Sequence, residues 1–248
     1  MARLRRGGPT GGSALTGTAG TPPGPGVAGW DQYAHRWARL HGGFDPRRAG
    51  PVVQGWLRLA HAVARPLARA GVSPGAVTAV GLLACLATPA VAAVGPGGAV
   101  AAGGLVLLAA VADSVDGAVA VLTGRVTRLG AVYDSVADRL GELAWVAAFW
   151  VVGGPPGLLL GCAALSWLHE YVRARATAVG MTRIGAVTVG ERPTRVCVAL
   201  LGLPLAGATG LLVPELAAGT ATVVAAVWLL LAVFGLSQLL AAARTALR

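Results

Sequence analysis

Long apolar segments separated by short turns occupy the chain from residue 76 onward. Each segment is long enough for an α-helix to cross the hydrocarbon core of a bilayer, which takes about 20 residues. The pattern therefore predicts an all-α, polytopic membrane protein with six transmembrane helices. The predicted helices lie near residues 76–95, 98–122, 131–153, 156–180, 194–213 and 218–241.

A different periodicity precedes the first of these segments, over residues 52–70. Apolar residues such as Trp56 and Leu59 recur there at three-to-four spacing, while arginines fall on another face. This pattern is typical of an amphipathic helix that lies in the membrane interface. We expect the helix to end at Gly71 and Pro74, before the first transmembrane helix.

The first 50 residues differ from the rest in composition. Residues 1–29 form a low-complexity segment of glycine, proline, threonine and arginine, which is typical of a disordered tail. Residues 30–50 carry the pattern of a short helix followed by a turn. The sequence thus predicts a partly disordered N-terminal extension over residues 1–50 and a six-helix membrane domain over residues 51–248.

The distribution of charge indicates the orientation of the helices. The chain has 20 arginines, no lysine and a net charge of +10. The arginines lie before the first predicted helix, after the last, or near the second-to-third and fourth-to-fifth connections, whereas the connections around 95–98, 153–157 and 214–219 contain none. The positive-inside rule then places both termini in the cytoplasm. The expected partner of this charge is the lipid bilayer of the cell membrane, and no nucleic acid is expected.

Carboxylates are concentrated in one short stretch of this apolar chain. Four of its six aspartates lie within 26 residues: Asp113, Asp116, Asp134 and Asp138. Spacings of three and four residues place each pair on one helix face, and the short connection brings the two pairs together at the cytoplasmic side. Hard divalent cations relieve the repulsion among such carboxylates, so the sequence predicts a Mg²⁺ or Mn²⁺ site. The alternative is that these aspartates cap helix ends or pair with nearby arginines.

The same stretch, DSVDGAVAVLTGRVTRLGAVYDSVAD, resembles the signature of the CDP-alcohol phosphatidyltransferases, D-x-x-D-G-x-x-A-R-x8-G-x3-D-x3-D. The arginine of the signature is replaced here by Val121, and Gly75 stands where the family usually has asparagine. The resemblance implies a membrane enzyme with six helices behind an interfacial helix. The matching positions are Asp113, Asp116, Gly117, Ala120, Gly130, Asp134 and Asp138.

This resemblance also implies roles for individual residues. Asp113, Asp116 and Asp134 would ligate the metal, and Asp138 would act as the catalytic base and as a shared ligand. Arg125 lies one helical turn after Val121 and is our candidate for the missing arginine. The implied donor-binding set is Thr78, Asp116, Gly117, Ala120 and Arg125.

A second polar cluster follows on the fourth predicted helix and the connection after it. Its GERPTR segment, residues 190–195, looks like the corresponding connection in family members that use phosphorylated alcohols. Arginine grips phosphate there through two hydrogen bonds, so Arg173, Arg192 and Arg195 are the predicted acceptor-binding residues. The alternative is that these arginines anchor helix ends at lipid headgroups.

The expected activity is metal-dependent transfer of a phosphatidyl or similar phosphoalcohol group, with release of CMP, in phospholipid biosynthesis. The donor would be a CDP-linked lipid such as CDP-diacylglycerol, and the acceptor a small, polar, phosphorylated alcohol such as inositol phosphate or glycerol phosphate. Members of this family often form dimers, so a homodimer is one expected assembly. Two alternatives stay open: a catalytically degenerate relative that binds nucleotide or lipid, and a cation transporter.

Overall fold

The computed structural model describes residues 28–40, 42–181 and 188–248. These residues form one short 3-10 helix, Pro46–Arg48, and eight α-helices, which confirms the predicted all-α class. Most of the predicted N-terminal tail, residues 1–27, lies outside the described residues. The α-helices are α1 (Trp30–Leu40), α2 (Pro51–Arg69), α3 (Pro74–Ala92), α4 (Pro96–Thr123), α5 (Arg128–Val151), α6 (Pro156–Ala178), α7 (Arg192–Leu212) and α8 (Pro214–Ala246).

Helices α3 to α8 occupy the positions of the six predicted transmembrane helices. Helices α4 and α8, with 28 and 33 residues, extend beyond the predicted segments 98–122 and 218–241. Four of the described helices, α3, α4, α7 and α8, are long and apolar enough to cross a membrane. Helices α5 and α6 are of similar length, 24 and 23 residues, but carry more charged and polar side chains.

Prolines and capping residues mark where several helices begin and end. Helices α2, α3, α4, α6 and α8 each start at proline, which suits the first helical position because no hydrogen-bonding N–H is lost there. Helix α4 ends at Gly124, whose φ of 69° is left-handed. The Thr127 side chain then caps α5 by accepting a hydrogen bond from the N–H of Gly130 at 3.0 Å. The connection between α4 and α5 is therefore short.

Small residues let the long helices approach one another closely. Helix α3 packs against both α4 and α5, and α7 packs against both α4 and α8. A Cβ atom at Gly103 of α4 would lie 2.2 Å from Cγ of Pro204 in α7. A Cβ atom at Gly207 of α7 would lie 2.5 Å from the carbonyl oxygen of Pro96 in α4. This close packing, typical of membrane helices, fixes the position of α7 against α4.

The two N-terminal helices pack against the part of α4 that carries the aspartates. Tyr33 of α1 is buried in one apolar cluster with Val119 and Val121 of α4. The ring of His61 in α2 lies 3.2 Å from the carbonyl oxygen of Ala28, just before α1. Helix α1 is thus part of the packed structure, although it precedes residue 51.

Helix α2 occupies the position predicted for the amphipathic helix. Its buried residues are Ala60, His61 and Ala64, which lie on one face. Leu59 and Val63 are exposed apolar residues of the same helix. Helix α2 therefore buries one side against the protein and presents apolar side chains on another.

Candidate metal centre

Three aspartates from two helices meet in one place. Oxygen atoms of Asp113 on α4 and of Asp134 and Asp138 on α5 lie within 4.8 Å of one another. All three side chains are partly buried. The spacing of four residues puts Asp134 and Asp138 on the same face of α5, as predicted, and α3 packs on both helices beneath them.

Asp116 lies beside this group but has a different partner. Its side chain is buried, and its Oδ2 accepts a hydrogen bond from the Thr78 hydroxyl at 2.6 Å. Asp116 lines a small cavity of about 20 Å³ together with Asp113, Asp134 and Asp138. The structure thus brings all four predicted aspartates to one cavity and adds Thr78 of α3 as the residue that orients the fourth.

The first residue of α7 supplies a cation to this cavity. The guanidinium of Arg192 lies 2.6 Å from Oδ2 of Asp113 and 2.6 Å from Oδ1 of Asp138. One guanidinium balances only part of the charge of four carboxylates. Arg192 therefore occupies the kind of position, between carboxylate oxygens, that a small cation also favours.

The donor atoms at this site fit a hard divalent metal ion. Carboxylate oxygens are the ligands that Mg²⁺ and Mn²⁺ prefer, and three aspartates offer them at mutual distances that a single ion can bridge. Within the described residues, the only group of three or more acidic, histidine or cysteine side chains with such convergent atoms is this one.

A buried ion-pair network surrounds Arg195, one helical turn after Arg192. Arg195 lies 3.1 Å from Oε2 of Glu142, pairs with Glu170, and donates to the carbonyl oxygen of Ser166 at 3.2 Å. Arg139 joins the network at 3.1 Å from Glu142. The sequence prediction assigned Arg195 to the acceptor, whereas the structure places it among carboxylates of α5 and α6. These partners had a sequence signal, since charged residues on apolar helices require opposite charges nearby.

Arg173 is tied to the start of α7. Its guanidinium lies 2.7 Å from Oε1 of Glu191, the residue just before Arg192. The same carboxylate accepts a hydrogen bond from the N–H of Thr188 at 2.8 Å. Glu191 thus links Arg173 to the turn that precedes α7, and Arg192 is the next residue in the chain.

A larger cavity opens next to the aspartates. Its volume is about 310 Å³, and its wall is formed by α3, α4, the start of α5, the connection between α4 and α5, and Leu40 at the end of α1. Asp134 contributes a carboxylate to this wall, and Val121 contributes an apolar side chain. All five residues predicted to bind the donor line this one cavity: Thr78, Asp116, Gly117, Ala120 and Arg125.

Comparison with known proteins agrees with this arrangement. The family model of the CDP-alcohol phosphatidyltransferases matches residues 72–247. A phosphatidylinositol phosphate synthase from Mycolicibacterium smegmatis is 34% identical over 159 residues, which cover 60% of this chain and 69% of that protein.

Two similar crystal structures are of a phosphatidylinositol phosphate synthase from Mycobacterium tuberculosis. The structure with CDP-DAG bound has a TM-score of 0.58 and 27% identity, and the match covers 73% of this chain and 94% of that one. The structure in complex with manganese and citrate has a TM-score of 0.60 and 27% identity, with 75% and 89% covered.

Proposed function

The chain belongs to the CDP-alcohol phosphatidyltransferase family, and from its similarity to phosphatidylinositol phosphate synthases we propose that its acceptor alcohol is inositol phosphate. It is an integral membrane enzyme that uses a divalent metal ion to transfer a phosphatidyl group from a CDP-linked donor to an alcohol in phospholipid synthesis. The observation that supports the acceptor most directly is the similarity to phosphatidylinositol phosphate synthases along 159 residues.

Asp113, Asp116, Asp134 and Asp138 are the proposed metal ligands, and all four line one cavity. Support comes from the carboxylate oxygens of Asp113, Asp134 and Asp138, which lie within 4.8 Å of one another. When bound, the metal ion supplies positive charge that stabilises the donor phosphate oxygens as the bond to CMP breaks. Thr78 orients Asp116 by donating its hydroxyl proton in a 2.6 Å hydrogen bond.

Asp138 is the proposed general base. It lies on α5 and lines the cavity that the four aspartates share, where a carboxylate can take the proton of the attacking hydroxyl group. The acceptor oxygen then forms a bond to the phosphorus of the phosphatidyl group. The bond from that phosphorus to the CMP oxygen breaks, and CMP leaves with the electron pair.

Arg192 and Arg173 are the proposed contacts for the phosphate of the acceptor. Arg192 is already next to Asp138, at 2.6 Å, so a phosphate held by Arg192 would bring the acceptor hydroxyl close to the base. A metal ion would be attracted to the same carboxylate oxygens as Arg192, so Asp113 and Asp138 would hold this guanidinium less tightly with a metal bound. Arg195 was also predicted to bind the acceptor. We propose that it acts on the acceptor site indirectly, from the buried ion-pair network one helical turn after Arg192.

The proposed arrangement in the membrane has α3 to α8 as six transmembrane helices and α2 in the interface. The exposed apolar residues Leu59 and Val63 on α2 support an interfacial position. The arginine-free connections around 95–98, 153–157 and 214–219 support an orientation with both termini and the active site in the cytoplasm.

A test of the acceptor uses the purified enzyme with CDP-diacylglycerol, Mg²⁺ and either inositol phosphate, glycerol phosphate or free inositol. We expect CMP release to be fastest with inositol phosphate. Equal or faster release with glycerol phosphate would rule out the proposed acceptor.

A variant tests the proposed general base in the same assay. Asp138→Asn removes the proposed base with little change in size, and we expect CMP release to fall by roughly a hundredfold or more, the usual contribution of a general base. The exposed carboxylate of Glu215 on α8 offers a matched control, because Glu215→Gln makes the same chemical change far along the chain from the site.

A further inference from the structure

Two cavities meet at Val121, and arginines of α1 line the second one. The second cavity has a volume of about 320 Å³ and lies against α1 and the end of α4. It shares Leu40, Val121 and Val126 with the cavity that contains the predicted donor-binding residues. Arg36 and Arg39 lie in the wall of the second cavity, so their positive charge adjoins the donor cavity.

The donor cavity itself is poor in positive charge. Its lining includes the carboxylates of Asp116 and Asp134 and one cationic side chain, Arg125. A CDP-linked donor carries a negatively charged diphosphate, which requires cations in addition to a metal ion that is shared with several aspartates. Val121, at the boundary of both cavities, provides no charge.

Arg36 and Arg39 are available for such a ligand. Among the described residues, neither guanidinium forms an ion pair, and the nearby Asp31 faces Arg47 instead, at 3.9 Å. Arg39 is exposed, and Arg36 is partly buried. Binding a phosphate therefore costs neither side chain an existing ion pair.

The backbone that carries these arginines is held firmly against the protein. Tyr33 and Ala34, which precede the two arginines in the same helix, are buried. The guanidinium of Arg58 in α2 lies 5.4 Å from the ring centre of Trp30, a cation–π distance. A helix fixed at its N-terminal half presents its C-terminal arginines in a defined place, which lowers the entropic cost of binding.

We propose that Arg36 and Arg39 of α1, together with Arg125, bind the phosphate groups of the CDP-linked donor. Helix α1 precedes the part of the chain that matches the family, residues 72–247, so this contact belongs to the extension of this protein. The extension then supplies from a neighbouring helix the positive charge that α4 lacks at Val121. The inference rests on the proposed function for its CDP-linked donor but not for its acceptor.

Three variants of the full chain test this proposal. Arg36→Gln/Arg39→Gln removes both charges, and Arg36→Lys/Arg39→Lys retains them. Arg48→Gln is the matched control, because Arg48 is an exposed arginine of the same N-terminal region that lines neither cavity. The measurements are the KM for CDP-diacylglycerol, the KM for the acceptor and kcat, all in Mg²⁺.

The glutamine pair should raise the donor KM roughly tenfold, which corresponds to about 1.4 kcal/mol of lost binding energy. Its kcat and acceptor KM should stay within about twofold of the wild-type values, because the lost contact is to the donor alone. The lysine pair should fall between the glutamine pair and the wild type, and Arg48→Gln should match the wild type. An unchanged donor KM in the glutamine pair, or a loss confined to kcat, would overturn the proposal.

Direct titration with CDP in Mg²⁺ separates this inference from the proposed acceptor. If the wild type binds CDP more tightly than the glutamine pair but releases no CMP with inositol phosphate, the acceptor is wrong and the donor contact stands. If both proteins bind CDP equally, the donor contact is wrong whatever the acceptor. A matching thermal unfolding temperature for the two proteins shows that the difference in binding is not a loss of folding.

Discussion

At the scale of single residues, Arg192 and the carboxylates around it compete for the same interactions. Its guanidinium holds Asp113 and Asp138 at 2.6 Å each, and both are proposed metal ligands. A cationic side chain in this position reduces repulsion among the carboxylates while no metal is bound. The same contact opposes metal binding, because a metal ion has to displace the guanidinium or share the carboxylate oxygens with it.

Removing this arginine should therefore strengthen metal binding. We expect Arg192→Ala to bind Mn²⁺ more tightly than the wild type, by roughly tenfold, since charge-assisted hydrogen bonds are worth about 1.5 to 3 kcal/mol each and part of that energy is regained from water. The measurement is calorimetric titration of the purified protein with Mn²⁺. Arg175→Ala, which removes an exposed arginine of α6, is the control of equal charge. Unchanged or weaker Mn²⁺ binding in Arg192→Ala would contradict the competition.

At the scale of helices, the position of α7 controls whether Arg192 reaches the aspartates. Helix α7 lies against α4 through glycines, with Gly103 facing Pro204 and Gly207 facing Pro96. Any side chain at these positions would push the two helices apart. Because Asp113 is on α4 and Arg192 is on α7, the helix spacing and the site geometry are coupled.

Gly103→Ala should destabilise the protein, whereas Gly104→Ala should not. A Cβ atom at Gly103 would meet Pro204 Cγ at 2.2 Å, but a Cβ atom at Gly104 has no neighbour within 4 Å. We expect Gly103→Ala to cost about 1 to 3 kcal/mol, as overpacked cores do, and to reduce CMP release. Thermal unfolding in detergent measures the first effect. Equal unfolding temperatures for the two variants would show that the α4–α7 contact yields easily.

The contact between α1 and α2 should depend on pH through His61. Its burial lowers the pKa of His61, and the positive charge of nearby Arg65 acts in the same direction. The folded protein thus favours the neutral ring, so this contribution to stability is complete above the ordinary histidine pKa of about 6.5 and is lost as the pH falls below it.

A comparison of unfolding temperatures across that pH range checks the sign. The wild type should lose stability from neutral pH to mildly acidic pH, and His61→Gln should lose less. His35→Gln replaces an exposed histidine of α1 and should behave as the wild type. A steeper pH dependence in His61→Gln would mean that the charged ring is the one that the fold prefers.

At the scale of the whole molecule, the candidate metal centre connects three helices. Its proposed ligands come from α4 and α5, and Arg192 from α7 lies among them. A ligand that binds only the folded state stabilises it by mass action. The metal ion is therefore expected to stabilise the complete bundle as well as to take part in the reaction.

Mn²⁺ at about 100 times its Kd should add about 2.7 kcal/mol to the free energy of unfolding. We expect Asp134→Asn to lose most of this gain, because one of three converging carboxylates is removed. The measurement is the shift of the unfolding temperature with Mn²⁺ concentration. Glu215→Gln should retain the full shift, and a full shift in Asp134→Asn would exclude Asp134 as a ligand.

Periodic patterns in the sequence predicted the helices well. Residues 76–95 and 194–213, for example, correspond closely to α3 and α7, because a run of apolar residues directly reflects a buried or lipid-facing helix. The spacing of Asp134 and Asp138 likewise predicted a shared face. The length of α8 was underestimated, since it continues past the apolar run at both ends.

Contacts between residues distant in the chain could not be predicted in the same way. Nothing in the local pattern shows that Arg192 pairs with Asp113, or that Arg195 lies between Glu142 and Glu170, because these pairings depend on how α7 packs. The same is true of α1, whose apolar face gave no indication of the helix that covers it. Charged residues on apolar helices need opposite charges nearby, but tertiary packing decides which residues provide them.

The lengths of α3 and α8 bear on the thickness of the surrounding membrane. With 19 and 33 residues, they measure about 28 Å and 50 Å at 1.5 Å per residue. A hydrocarbon layer of about 30 Å suits an upright α3, but it is too thin for an upright α8 to remain within it. In the proposed six-helix arrangement, α8 therefore tilts or projects into the headgroup region, whereas α3 matches the hydrocarbon layer without tilting.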